Sequence, residues 1–156
     1  MLETSLCYIS RGSRVLMLHR VGKKDDVNAG KWIGVGGKLE PGETPEGCML
    51  REVREETGLI LSSFRCRGVV DFRSGDWEER MHLFTAQAPT DQLADCDEGK
   101  LAWIEKRDLP SLPMWEGDKV FLRLLSEDAP FFRLSLVYEG ERLVSAVLNG
   151  EPVSLR

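Results

Sequence analysis

No stretch of the 156-residue chain is long and apolar enough to span a bilayer. The N-terminus also lacks the basic start and apolar run of a signal peptide. These absences make a cytoplasmic protein with no membrane partner the expectation. Histidine is scarce: His19 and His82 are the only two, both fall in apolar, strand-like segments, and neither is assigned a catalytic role. The four cysteines, Cys7, Cys48, Cys66 and Cys96, show no C-x-x-C spacing and no matching histidine pair. Reduced thiols are therefore expected in preference to zinc ligands or disulfides. Basic charge is in deficit, with 21 Lys and Arg against 26 Asp and Glu, a net charge of −5. That balance argues against general nucleic-acid binding. Internal repeats, low-complexity segments and interdomain linkers are all missing. The length suits a single domain, residues 1–156, with a real core. Oligomeric state is not legible.

One charged stretch carries most of the information. Between Gly37 and Glu43 lie five residues, and between Glu43 and Arg51 lie seven. Arg51, Glu52, Val53, Glu55, Glu56, Gly58 and Leu59 follow. Glu52, Glu55 and Glu56 stand at i, i+3 and i+4, so a helix would crowd their carboxylates on one face. Such crowding weakens a helix unless positive charge sits among it. A cluster of hard oxygen donors suits Mg²⁺, with Mn²⁺ as a substitute. A solvated surface helix would explain Arg51 with Glu55 at i,i+4, but not the glycine and glutamate spacing upstream. Thr44 is a suitable N-cap, Pro45 fits the first turn, and Gly58 can end the helix in the left-handed conformation. The spacing thus predicts a helix over Pro45–Thr57. Gly34, Gly36 and Gly37 permit close backbone approach to phosphate or metal. Glu43 and Arg51 are expected to pair, fixing the loop to the helix. Met49, Leu50 and Val53 are expected to face the core.

Around this helix the chain reads mostly as strands. Leu6–Ile9 and Val15–Leu18 form a predicted hairpin over residues 10–13. Val21–Lys31 is a loop, and Trp32–Val35 leads into the glycines. Ser62–Phe72 and Arg80–Ala88 flank a predicted turn at residues 73–76. Ala88–Gly99 is a loop, and Leu101–Ile104 is another strand. Two prolines are expected to keep Asp108–Pro113 extended. A second helix opens at Glu116 or Asp118 and runs through Phe121, Leu124 and Leu125. Phe132–Tyr138 and Arg142–Val147 make a C-terminal hairpin. Many strands and two single helices imply an α+β fold, a mixed sheet between helices.

Gly37–Leu59 fits the pattern G-x5-E-x7-R-E-U-x-E-E-x-G-U, where U is aliphatic, at every fixed position. The chain resembles the Nudix hydrolases, whose fold is an α-β-α sandwich. Ala29–Trp32, Trp103–Ile104 and Met114–Asp118 resemble the MutT-like oxidised-purine triphosphatases, above all bacterial 8-oxo-dGTP diphosphatases. The resemblance implies hydrolysis of a nucleoside triphosphate to monophosphate and pyrophosphate, in nucleotide-pool sanitation. It implies metal held by Gly36, Glu52, Glu55 and Glu56 with a later carboxylate. That carboxylate is Glu98, or its neighbour Asp97, unless both are plain solvated loop acids. Glu52 or Glu98 would be the general base, and Arg51 with Glu43 would be structural. Arg20, Lys23 and Lys38 are candidates for phosphate binding beside Gly37. Trp115 would stack on the base and Asp118 would bind its edge; the alternative for Trp115 is a core aromatic. Phe72 is either a wall of the base pocket or a core aromatic. Two positions depart from the animal enzymes of the subgroup. Ile33 stands where they carry an asparagine, and Gly117 precedes a single acid, Asp118. Ile33 has no polar side-chain atom to offer a base. Other diphosphate substrates use the same motif, namely ADP-ribose, dinucleoside polyphosphates and capped RNA. A non-catalytic nucleotide-binding module would be marked by lost carboxylates, and none is lost.

Overall fold

The computed structural model describes residues 1–21, 26–96 and 99–155. Among these residues ten strands form one mixed sheet. They are β1 (Leu2–Arg11), β2 (Arg14–His19), β3 (Trp32–Ile33), β4 (Val35–Lys38), β5 (Phe64–Ser74), β6 (Trp77–Gln87), β7 (Lys100–Glu105), β8 (Phe132–Glu139), β9 (Arg142–Leu148) and β10 (Glu151–Pro152). Two α-helices join them, α1 (Pro45–Thr57) and α2 (Glu116–Ser126). The strand order is β10-β9-β8-β5-β6-β1-β2-β3, with β4 on β1 and β7 on β2. β1 with β6 and β5 with β8 run parallel, and the other pairs are antiparallel.

Period-2 alternation sends successive side chains to opposite faces. Cys7, Ile9, Leu16, Phe84 and Ala86 pack with Met49 and Val53 of α1. Tyr8, Val15, Met17, Met81 and Leu83 face the other way and pack with Phe121 of α2 and with β8. Phe121 is fully buried, its ring 6.1 Å from that of Tyr8. Each such buried side chain contributes about 1.5–3 kcal/mol. The result is a sheet between helices, as expected. Leu50 is half-buried against the α1 core, beside the fully buried Met49 and Val53.

Several expectations change in detail. The hairpin β5–β6 reaches further than residues 72 and 80, to a two-residue turn at Gly75 and Asp76. Glycine with positive φ at the first turn position supports it, as at Gly12 and Gly140. The segment expected to be extended, Asp108–Pro113, is instead mostly a 3₁₀ helix over Lys106–Ser111. Pro110 lies inside this helix and fits its backbone because the fixed φ of proline is helical. Burial of Leu109 outweighs the extended preference of a residue before proline. Only Leu112, before Pro113, keeps the extended conformation. The short strands β3 and β10 have no periodic pattern to announce them. No helix among the described residues is long and apolar enough to cross a membrane.

Candidate active site

The acidic end of the site is assembled by α1 and β4. Thr44 caps α1 by accepting from the Gly47 amide at 3.0 Å, and Gly58 ends it with φ 80°. Ser5 of β1 donates its hydroxyl to the Pro45 carbonyl at 2.7 Å, tying the helix start to the sheet. Gly36 pairs with Leu6 across β4–β1. A Cβ at Gly36 would collide with the Ser5 carbonyl, and one at Gly37 would stand 2.6 Å from the Glu52 carboxyl carbon. Glycine there lets the Glu52 carboxylate lie against the strand backbone.

Arg51 is the hub of this end. Its Nε and Nη2 donate to the two Glu43 oxygens at 2.8 and 2.9 Å, a bidentate pair. Its Nη1 donates to Glu52 at 2.7 Å and Glu55 at 3.3 Å, and its Nη2 reaches the Lys38 carbonyl at 3.2 Å. Arg51 holds the Glu43 carboxyl down at about 2, helped by the Glu40 amide. The guanidinium therefore supplies the positive charge that a crowded acidic helix face requires. Glu52 has a mostly buried side chain, Glu55 is largely exposed, and Glu56 is buried. Among the described residues no three His, Cys, Asp or Glu side chains are grouped to hold a metal ion. The donor chemistry still fits a hard divalent cation, since it is all carboxylate and carbonyl oxygen. Arg51 shares its Nη1 between Glu52 and Glu55, so metal would compete with it for those carboxylates.

From this end a cleft of about 970 Å³ runs between the sheet and α2. It brings together Arg20, Gly36, Gly37, Lys38, Arg51, Glu52, Phe72, Trp115 and Asp118. Ile33 lines it as well, presenting no polar atom. Glu43, Glu55 and Glu56 are not on its wall; Glu43 instead holds Arg51. Lys23, Asp97 and Glu98 lie outside the described residues. Arg20 is ion-paired to Asp26 at 2.8 Å, so its charge is partly spent within the protein.

At the far end Trp115 is held on several sides. Its Nε1 donates to Asn28 at 2.8 Å, its ring meets Tyr138 edge-on at 5.4 Å, and the Lys31 ammonium stands 4.4 Å from its centroid. Gly117 has a positional reason: its amide donates to the Tyr138 hydroxyl at 2.7 Å, and a Cβ there would strike that oxygen. Asp118, in the first turn of α2, is 6% exposed. Burial, and then the charge of Glu79, push its carboxyl up to about 7.

Glu79, Thr4, Asn28 and Tyr138 also line the cleft, and sequence reasoning missed them. Glu79 shares the face of Met81 by simple alternation. Starting that strand at Arg80 left Glu79 outside it and hid the signal.

The NUDIX domain family model matches residues 3–125. The chain is 31% identical over 141 residues to YvcI of Bacillus subtilis (strain 168), named an uncharacterized Nudix hydrolase, covering 86% of this chain and 85% of that one. It is 33% identical over 111 residues to the oxidized purine nucleoside triphosphate hydrolase of Danio rerio, covering 70% and 71%. The crystal structure of the MutT protein from Bacillus halodurans matches with a TM-score of 0.86 at 26% identity, over 97% of this chain and 100% of that one. With family model, relatives and fold in agreement, the chain belongs to the Nudix hydrolases, enzymes that cleave phosphoric anhydride bonds.

Proposed function

We propose that the protein is a nucleoside triphosphate pyrophosphohydrolase that releases monophosphate and pyrophosphate, acting in the cytoplasm on oxidised purine nucleotides such as 8-oxo-dGTP. The observation that carries the reading is one continuous cleft. It joins the acidic helix face at Glu52 to an aromatic slot closed by a buried carboxyl at Asp118. Likeness to oxidized purine nucleoside triphosphate hydrolases of Danio rerio and Mus musculus supports the choice of substrate.

Hydrolases of this family generally need a divalent metal. In this reading the ion is Mg²⁺, held by the Gly36 carbonyl, Glu52, Glu55, Glu56 and Glu98. Bound there, it neutralises phosphate charge and lowers the pKa of water. The chain's own residues do the rest. Arg51, anchored by Glu43, keeps Glu52 against Gly37, and Glu52 or Glu98 takes the proton of the attacking water. Lys38, Lys23 and Arg20 offer charge to phosphate oxygens, Arg20 by yielding part of its pair with Asp26. Phe72 walls the base slot. Trp115 stacks on the base, using the ring face that Lys31 leaves open or displacing its ammonium. Asp118, neutral below about pH 7, donates to a base carbonyl.

The test is hydrolysis of a nucleotide panel in Mg²⁺ with product identification. Preference for 8-oxo-dGTP with pyrophosphate release is expected. Preference for ADP-ribose or a dinucleoside polyphosphate, or release of orthophosphate, would overturn it.

A further inference from the structure

The cleft floor holds a carboxylate that the phosphate chemistry does not use. Glu79 lies on β6 opposite Phe72 of β5, with Trp77 and Met81 on the same face. Thr4 of β1 donates its hydroxyl to Glu79 Oε2 at 2.8 Å, which fixes one oxygen and leaves the other for a ligand. Asp118 enters the same cleft from α2, above that floor. Phe72, Met81, Leu6 and Ile33 around them are apolar. Two acids from separate elements thus stand in one largely apolar slot, and Ile33 brings no polar contact of its own.

We propose that Glu79 and Asp118 together read the base edge, with Asp118 donating to a carbonyl and Glu79 accepting from a neighbouring N–H. This rests on the reading of the cleft as a nucleotide site. The chemistry selects among bases. Guanine presents N7 and O6 side by side, both acceptors. Oxidation at C8 converts N7 into an N–H donor while O6 stays an acceptor. A donor beside an acceptor matches the oxidised edge. The unoxidised edge would set the N7 lone pair against the Glu79 carboxylate, an unpaired and repulsive contact.

The protonation states agree with this division. Asp118 is pushed up to about 7 by burial first and by Glu79 second. Around it stand Tyr8 of β1 and Tyr138 of β8, with Glu116 on its own helix. Burial pushes both phenols upward, so they stay neutral and do not compete for the proton. Arg73 of β5 is on the wall, largely exposed and 3.6 Å from Glu78. Arg20 at the end of β2 is engaged by Asp26, and Arg51 of α1 by Glu43 and Glu52.

The decisive experiment compares kcat/KM for 8-oxo-dGTP and dGTP in wild type, Glu79→Gln and Thr4→Val, with Tm measured for each. A glutamine amide can donate to the guanine N7 or accept from the oxidised N7–H, so Glu79→Gln should gain dGTP and erode the preference for 8-oxo-dGTP. The specificity ratio should fall at least about tenfold. In wild type, KM for 8-oxo-dGTP should rise as pH passes about 7 and Asp118 ionises. Removing the Glu79 charge should move that rise to lower pH. Thr4→Val, which frees the Glu79 carboxylate and removes one hydroxyl from the cleft wall, should lower the ratio in the same direction and covers the case in which Glu79→Gln fails to fold. An unchanged ratio and unmoved pH midpoint in folded variants would overturn the acid pair alone. A wild type that prefers dGTP, or ignores both, would overturn the functional reading and the pair together.

Discussion

Gly36 and Gly37 are adjacent, yet alanine at each should fail for a different reason. A Cβ at Gly37 would lie 2.6, 2.7 and 2.8 Å from the three atoms of the Glu52 carboxyl group. Ordinary contact begins near 3.4 Å, so the carboxyl must retreat by about 0.8 Å. It is the far end of a flexible side chain, and the strand need not move. The stability cost should therefore be about 1 kcal/mol or less. The functional cost is larger, because a displacement near 1 Å at the reacting centre is worth about 10²-fold in rate. At Gly36 the obstacle is the Ser5 carbonyl of the paired strand, with the Leu6 Cα at 2.9 Å. No rotamer relieves that clash, so β4 must part from β1. Gly36→Ala should cost at least about 2 kcal/mol and lower Tm. Thermal melts and steady-state kinetics on both variants separate the cases. Gly37→Ala within about threefold of wild-type kcat, at unchanged Tm, would show that Glu52 needs no exact position.

Arg51→Ala should reduce both stability and activity, because it strands Glu43 and Glu52 without their partner. The Glu43 carboxyl is depressed from 4.5 to about 2, so its contribution to stability is complete above 4.5 and lost as pH falls toward 2. Acid melts should show a shallower loss across that window in Arg51→Ala; equal slopes would refute the pairing. Asp118→Asn should alter the 8-oxo-dGTP to dGTP ratio and also raise Tm above neutral pH. The folded Asp118 pKa is raised, so wild-type stability declines as pH climbs from 3.8 to about 7. A Tm advantage for the variant should grow over that interval and then level off, and a constant difference would refute it. Tyr138→Phe leaves the buried Gly117 amide without its acceptor, costing about 1–3 kcal/mol in denaturant titrations. A neutral result would mean that α2 does not depend on this bond. Glu56→Gln should lower kcat by at least about 10²-fold without unfolding the chain; kinetics near wild type would remove Glu56 from the metal site.

The local code for α1 is complete in the sequence. Thr44, Pro45, Gly58 and the i, i+3, i+4 acids specify its ends and its charged face, because capping and helical spacing are short-range effects. The pairing of Arg51 with Glu43 was readable for the same reason, being two turns of one segment. Short apolar runs bounded by turn residues likewise announced the longer strands; the opposite faces taken by Cys7, Tyr8 and Ile9 emerged with the sheet. Long-range contact decided the remainder. Nothing near Glu79 in the chain reveals that Thr4 holds it or that Asp118 lies above it, 39 residues further on. Gly117 looked like a missing acid until Tyr138 of β8 showed why no side chain fits. Pro110 looked like a helix breaker until the burial of Leu109 in the α2 core turned its segment into a 3₁₀ helix. The sequence by itself therefore determined the family, the long strands and two helices, and the acidic face of α1. The gathering of Thr4, Phe72, Glu79, Asp118 and Tyr138 at the far end of the cleft belonged to the tertiary structure, because β1, β5, β6, β8 and α2 meet there and no local pattern records that meeting.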